Sequence, residues 1–163
     1  MRELCLRGTR KHLLKCSNVA WQEKKEAGAV GKTRDEVLAV YAEAKRLEVL
    51  DTAPLVLCEL LLDENIRDQL KSYAALFKRF SANNLKAQRA LLGGIEILVG
   101  TLHADKLLPK VPLILKDCYD DDLIEEEVII EWGAHIVARV SHFVSYENSV
   151  VLYYKLMQTL FVR

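Results

Sequence analysis

No stretch of the 163 residues approaches the roughly 20 consecutive apolar positions that a membrane-spanning helix needs. The opening MRELCLRGTRKHLLKCSNVA has no apolar core of the kind a secretory signal carries. It is rich in Arg and Lys and poor in acids, which leaves a transit peptide as the alternative to an unsorted, cytoplasmic chain. The four cysteines, Cys5, Cys16, Cys58 and Cys118, form no C-x-x-C pair, so neither a zinc ribbon nor a disulfide framework is indicated and a reducing compartment is expected. Glycine and proline are too scarce, at 7 and 3, to build a flexible linker between domains. The glycine pair Gly93-Gly94 lies in apolar surroundings, not in a G-x-x-x-x-G-K phosphate loop, and no Ser or Cys stands in a recognisable nucleophile context. No cofactor, no metal and no catalytic residue are therefore expected.

What is present is one domain's length of chain, 51% hydrophobic and 28% charged, the balance of a soluble globular protein. Its net charge of zero hides an asymmetry. Asn65 to Arg89 carries six basic residues and one acid, and Asp117 to Glu131 carries eight acids and no base. A bipolar surface of this kind, with a basic face of Lys71, Lys78, Arg79, Lys86 and Arg89, suits charged protein partners better than nucleic acid, which calls for one dominant basic face.

Hydrophobic spacing predicts helix after helix, hence an all-α fold of antiparallel neighbours that can stack as a solenoid. In RDEVLAVYAEAKRLEV, Val37, Leu38, Tyr41, Ala44 and Leu47 form a stripe, and Thr33 with Glu36 spells a capping box. APLVLCELLLDE is apolar on nearly all sides and belongs in the middle of the packing, with Cys58 as a small hydrophobe. NIRDQLKSYAALFKRF turns Ile66, Leu70, Tyr73, Leu76, Phe77 and Phe80 inward. SANNLKAQRALLGGIEILVGTLH, capped by Ser81 or Asn83, buries Leu85, Leu91, Leu92, Ile95 and Leu98. Two glycines inside a helix cost about 1 kcal/mol each against Ala. They indicate either a kink or a close approach by a neighbouring helix, and close approach is the better reading. Pro109 marks a break and Pro112 the first turn of a short helix. Val150 to Val162 reads as helix or strand by composition, and helix is expected because a lone strand has no sheet to join.

The acidic run DCYDDDLIEEEVIIEW is harder to explain. Asp121 or Asp122 is positioned to cap a helix, and Glu125 and Glu126 in its first turn gain about 0.3–1 kcal/mol each from the helix dipole. The Glu127/Glu131 pair repels by about 0.2–0.5 kcal/mol. Glu127, Glu131 and His135 fall at successive i+4 positions, a spacing that fits a divalent metal, but an acidic solvated face ending in an ordinary histidine is the preferred reading. Capping accounts for two or three carboxylates of the eight. The excess is either a solvated face or a binding patch.

APLVLCELLLDENIRDQLKSYAALFKRF, LKAQRALLGG and DDDLIEEEVIIEW, in that order, resemble the C-terminal domain of eukaryotic translation initiation factor five, from about Trp21 to Trp132. The resemblance implies a HEAT-like superhelix of the W-two type with two acidic and aromatic boxes. The first corresponds to Leu57–Glu64 and offers Glu59, Asp63 and Glu64. The second offers Asp120, Asp121, Asp122, Glu125, Glu126, Glu127, Glu131 and Trp132. It further implies a non-enzymatic assembly adaptor that binds Lys-rich segments of the beta subunit of initiation factor two and contacts initiation factors three and one, with no membrane or direct nucleic-acid binding. The GTPase-activating Arg and zinc ribbon belong to the N-terminal half of the full factor, which these residues do not match. The expected organisation is a divergent segment at 1–19, the domain core at 20–140 and a divergent segment at 141–163. A truncated regulator that competes with the full factor for initiation factor two, and so slows GDP release, is the alternative, as is a poorly folding fragment.

Overall fold

Thr33 opens the first helix as its spacing to Glu36 predicts. Its hydroxyl accepts from the Glu36 N–H and its own N–H donates to the Glu36 carboxylate, both at 3.4 Å. The computed structural model describes residues 31–140, and the expectations for Met1–Val19 and for Val150–Val162 lie outside them. Helix α1 (Arg34–Arg46) buries Val37, Val40 and Ala44, with Tyr41 packed beside them. Leu38 is 44% exposed, contrary to the expected stripe. The helix meets its neighbour through the Tyr41 and Phe80 rings, whose centroids are 5.3 Å apart, and Leu38 stays outside the buried set. The helix ends with Glu48 at φ 56°, while Val49 N–H donates to Ala44 C=O and Glu48 N–H to Lys45 C=O.

Helix α2 (Ala53–Leu61) starts with Pro54 in its first turn and buries six residues, including Leu57 and Cys58. It packs most extensively on α5 (Leu85–Ile97), which places it in the middle of the core as its all-round apolarity requires. The crossing point is Gly94. A Cβ there would stand 2.7 Å from Cys58 Cβ and 3.1 Å from the Leu55 carbonyl oxygen. At Gly93 it would meet only Leu55 Cδ1, at 3.6 Å. Close approach is the reason for the second glycine and not for the first.

The stretch from Ile66 to Ser81 forms two helices, α3 (Ile66–Ser72) and α4 (Ala74–Ser81), divided at Tyr73. All six residues expected inside are buried. The division has a packing cause: α3 lies against α7 (Val111–Asp120), whereas α4 lies against α5 and α1. Asn84, not Ser81 or Asn83, caps α5, its side-chain oxygen accepting from the Ala87 N–H at 3.2 Å. Ser81 is buried and its hydroxyl donates to the Phe77 carbonyl, and Asn83 takes φ 57° in the turn. Leu85, in the first turn, is 45% exposed instead of buried.

Helix α5 continues into a wide π-helical turn, Leu98–Leu102, in which His103 N–H donates to Leu98 C=O. Short helix α6 (Ala104–Leu107) and a 3-10 turn (Leu108–Lys110) holding Pro109 lead into α7, which has Pro112 in its first turn. The last described helix is α8 (Glu126–Val140). The described residues contain helices and turns and no strand, so the fold is all-α. Phe77, Leu91, Leu92 and Ile114 are among the fully buried side chains that join these helices into one core, each worth about 1.5–3 kcal/mol of burial.

Candidate partner-docking surface

The acidic run occupies two helix ends and the turn between them. Asp117 and Asp120 lie in the last turn of α7, Asp121 and Asp122 in the connection, and Glu126, Glu127 and Glu131 on α8. The turn closes with Leu123 N–H donating to Cys118 C=O at 2.9 Å and Asp122 N–H to Tyr119 C=O at 3.0 Å, around Asp122 at φ 52°. A glycine is usual at that left-handed position, and a short polar side chain is the next most tolerated. Asp121 and Asp122 thus terminate α7 and do not cap α8, because buried Leu123 and Ile124 separate them from it. Carboxylates at a helix C-terminus oppose the macrodipole, at about 0.3–1 kcal/mol each when exposed.

Cations from elsewhere in the chain offset that cost. Arg67 of α3 grips Asp117 with two bonds, Nε to Oδ2 at 2.6 Å and Nη2 to Oδ1 at 3.2 Å, and the Asp117 side chain is only 11% exposed. The hydrogen bond raises the Arg67 guanidinium above its ordinary value. Lys116 bonds Asp120 one turn on, Lys78 reaches Asp122 at 2.9 Å, and Arg89 reaches Glu131 at 2.6 Å. The expected separate basic face is therefore corrected. Lys78 and Arg89 point into the acidic run, Lys86 pairs with Asp51 at 3.5 Å, and Arg79 lies 4.6 Å over the Tyr41 ring. Lys71 is exposed. The fold brings the two charge blocks together along a seam.

Gln88 fixes the start of α8 and was not singled out from the sequence. Although 3% exposed, its side-chain amide makes three hydrogen bonds. Its oxygen accepts from the Glu125 N–H at 2.9 Å, and its NH2 donates to the Glu125 carboxylate at 2.8 Å and to the Ser81 carbonyl at 3.1 Å. Trp132 packs partly buried against the core and its indole N–H donates to Glu96 at 3.4 Å. Glu126 is half-buried and Glu127 exposed, and neither has an ion pair or hydrogen-bond partner among the described residues through its side chain. One carboxylate oxygen of Asp121 is buried without a hydrogen bond.

The first box stands apart. Glu59 is half-buried on α2. Asp63 accepts from the Asn65 N–H at 2.8 Å, its own N–H donates to Gln69, and Glu64 pairs with Lys106 of α6. The Asn65 backbone bond holds the Asp63 carboxyl below its ordinary value of 3.8, and the Lys106 hydrogen bond does the same for Glu64, ordinarily at 4.5. Carboxyls with depressed folded values contribute stability that is present above their unfolded values and lost as pH falls through the folded ones. Between pH 6 and pH 3 the urea midpoint of the wild-type chain is therefore expected to fall further than that of an Asp63→Asn, Glu64→Gln variant. Parallel curves would show that neither carboxyl is linked to folding.

Among the described residues no three His, Cys, Asp or Glu side chains converge as a metal site. Glu131, in the alternative metal set, is engaged by Arg89, and the side chain of His135 lies outside the described residues. Cys58 and Cys118 are buried free thiols, and burial pushes both above their ordinary value, away from the reactive thiolate. No helix among the described residues is long and apolar enough to cross a membrane.

Short helices sharing one core, with a Trp-bearing acidic helix among the last of them, define a class of HEAT-like domain, and comparison with known proteins agrees. The family described as W2: eIF4-gamma/eIF5/eIF2-epsilon matches residues 87–152. The solved C-terminal domain of translation initiation factor 5 at low pH has a TM-score of 0.63 to this chain at 25% identity, covering 85% of this chain and 90% of that one. Residues 87–152 thus match the W2 family, and the helical fold is that of the C-terminal domain of translation initiation factor 5.

Its relatives place it more narrowly. Eukaryotic translation initiation factor 5 of Mus musculus is 50% identical over 112 residues, 69% of this chain and 25% of the relative. That of Drosophila melanogaster is 42% identical over 118 residues, 72% and 24% respectively. That of Saccharomyces cerevisiae is 31% identical over 110 residues, 66% and 27%. The domain is of the type that forms the C-terminal part of translation initiation factor 5. The chain spans about a quarter of the length of these curated relatives.

Proposed function

We propose that this domain is a non-catalytic, cytoplasmic adaptor of translation initiation that docks Lys-rich segments of the initiation factor two beta subunit on the start of α8. The observation that carries this reading is the state of Glu126 and Glu127. Most of the acidic run is engaged by Arg67, Lys116, Lys78, Gln88 or Arg89, yet these two adjacent carboxylates have no partner among the described residues. They stand in the first turn of α8, where the helix dipole favours anions, at positions that the resemblance gives to the second acidic box. Initiation factors three and one are further partners that the same resemblance supports.

Exposed ion pairs contribute about 0–1 kcal/mol each, so affinity must come from several at once. Salt screens them together, over about 10 Å at 0.1 M. A Lys-rich peptide of the beta subunit is expected to bind the wild-type chain with an affinity that falls steeply as salt rises. The Glu126→Lys, Glu127→Lys variant is expected to lose that binding and to stay folded, melting slightly below wild type because two cations in the first turn of α8 oppose the helix dipole. Equal affinity for the two proteins, or indifference to salt, would reduce the run to a solvated face.

A further inference from the structure

We infer that Lys78 and Arg89 are internal competitors for the docking surface, so that a Lys-rich partner binds by exchanging with the chain's own cations. This rests on the docking function proposed above and adds what regulates it. Three cations from the basic segment reach the acidic run, and they are not alike. Arg67 holds a nearly buried Asp117 with two bonds from the neighbouring helix α3, and that contact belongs to the packing. The Lys78–Asp122 and Arg89–Glu131 pairs are open to water on both sides, with side-chain exposures of 53% and 80%, and of 50% and 46%. Water can take over both partners of such a pair as it opens, so opening costs little. The two pairs also lie on either side of the unpartnered Glu126 and Glu127 in sequence, at positions 122 and 131.

An incoming ammonium at Glu126 or Glu127 therefore finds the neighbouring carboxylates already occupied by like charge. With the internal pairs closed, a partner has Glu126 and Glu127 to engage. With them open, Asp122 and Glu131 join the surface, and Lys78 and Arg89 are released into solvent. A segment with a single lysine gains little from the exchange, whereas one with several closely spaced lysines replaces both internal cations in a single binding event.

The test is titration of a dodecalysine peptide against four proteins at low salt. These are the wild-type chain, Lys78→Ala with Arg89→Ala, Lys45→Ala with Lys71→Ala, and Glu126→Lys with Glu127→Lys. Lys45 and Lys71 are exposed and make no ion pair within the described residues, so removing them changes the net charge equally without freeing a carboxylate of the run. The Lys78, Arg89 variant is expected to bind about three- to tenfold more tightly than wild type, each exposed pair being worth up to about fivefold. The Lys45, Lys71 variant should change by less than about twofold, since those charges act only through the screened field. In the wild-type chain the Arg89 side-chain Nε–H resonance should move as peptide is added, and that of Arg67 should not. Equal gains in the two alanine variants, or an unmoved Arg89 resonance at saturation, would overturn the exchange while leaving docking intact. Failure of the wild-type chain to bind, or equal binding by the Glu126→Lys, Glu127→Lys variant, would overturn the docking reading and this inference with it.

Discussion

Gly94→Ala is expected to destabilise the domain by about 1–3 kcal/mol, although the substitution improves helix propensity by about 1 kcal/mol. The added methyl would stand 2.7 Å from Cys58 Cβ, 3.0 Å from its sulfur and 3.1 Å from the Leu55 carbonyl oxygen. None of these is the loose end of a long side chain. Relief requires moving α2 away from α5, and this is the most extensive helix contact in the domain. Gly93→Ala is the control. Its methyl would meet only Leu55 Cδ1 at 3.6 Å, an ordinary contact, so a gain of up to about 1 kcal/mol is expected. Urea unfolding of the two variants decides the matter, and a Gly94→Ala midpoint at or above wild type would show that the helices do not need the missing side chain.

Gln88→Met is expected to cost about 1–3 kcal/mol, because it keeps most of the side-chain volume but leaves polar groups at the α5–α8 junction without partners. The Ser81 carbonyl loses one of its two donors and keeps the Asn84 N–H, while the Glu125 N–H and carboxylate lose their Gln88 partner. The second readout is local. Val128 and Ile129 N–H donate to the Glu125 carbonyl, so they are expected to exchange with solvent faster relative to the amides of α5 once the Glu125 backbone is released. Wild-type stability with unchanged exchange at these two amides would mean that Gln88 does not hold the helix start. Of the residues near the acidic surface, this one was the least visible beforehand. LKAQR reads as an ordinary amphipathic turn, and nothing local says that the glutamine meets a residue 37 positions later.

The same limit separates what could and could not be read elsewhere. The capping box at Thr33 and Glu36 and the inward stripe from Ile66 to Phe80 were legible because they depend on residues within a few positions of one another. The break at Tyr73 was not, since apolar spacing runs through it unchanged while the two halves pack on different neighbours. Helix ends at Glu48 and Asp122 were hidden because a charged residue, not glycine, takes the left-handed position. Composition located both charge blocks correctly. It could not say that Lys78 and Arg89 would be turned toward Asp122 and Glu131, because those pairs span 44 and 42 residues. Reading each block as a separate face was the natural error of a one-dimensional view.

The π-helical turn after α5 has a consequence for phase. An α-helix advances by about 100° per residue, so core positions recur three or four residues apart. Leu91, Ile95 and Leu98 keep that rhythm, and an unbroken helix would bring Leu102 inward next. The turn from Leu98 to Leu102 closes on a bond from His103 back to Leu98, one residue longer than an α-helical turn. That extra residue works as a slipped tooth in a gear. Leu102 stays 57% exposed, and the next fully buried side chain along the chain is Leu107. The rotation of α5 therefore ends at this turn, and the described helices after it take their facing from their own packing.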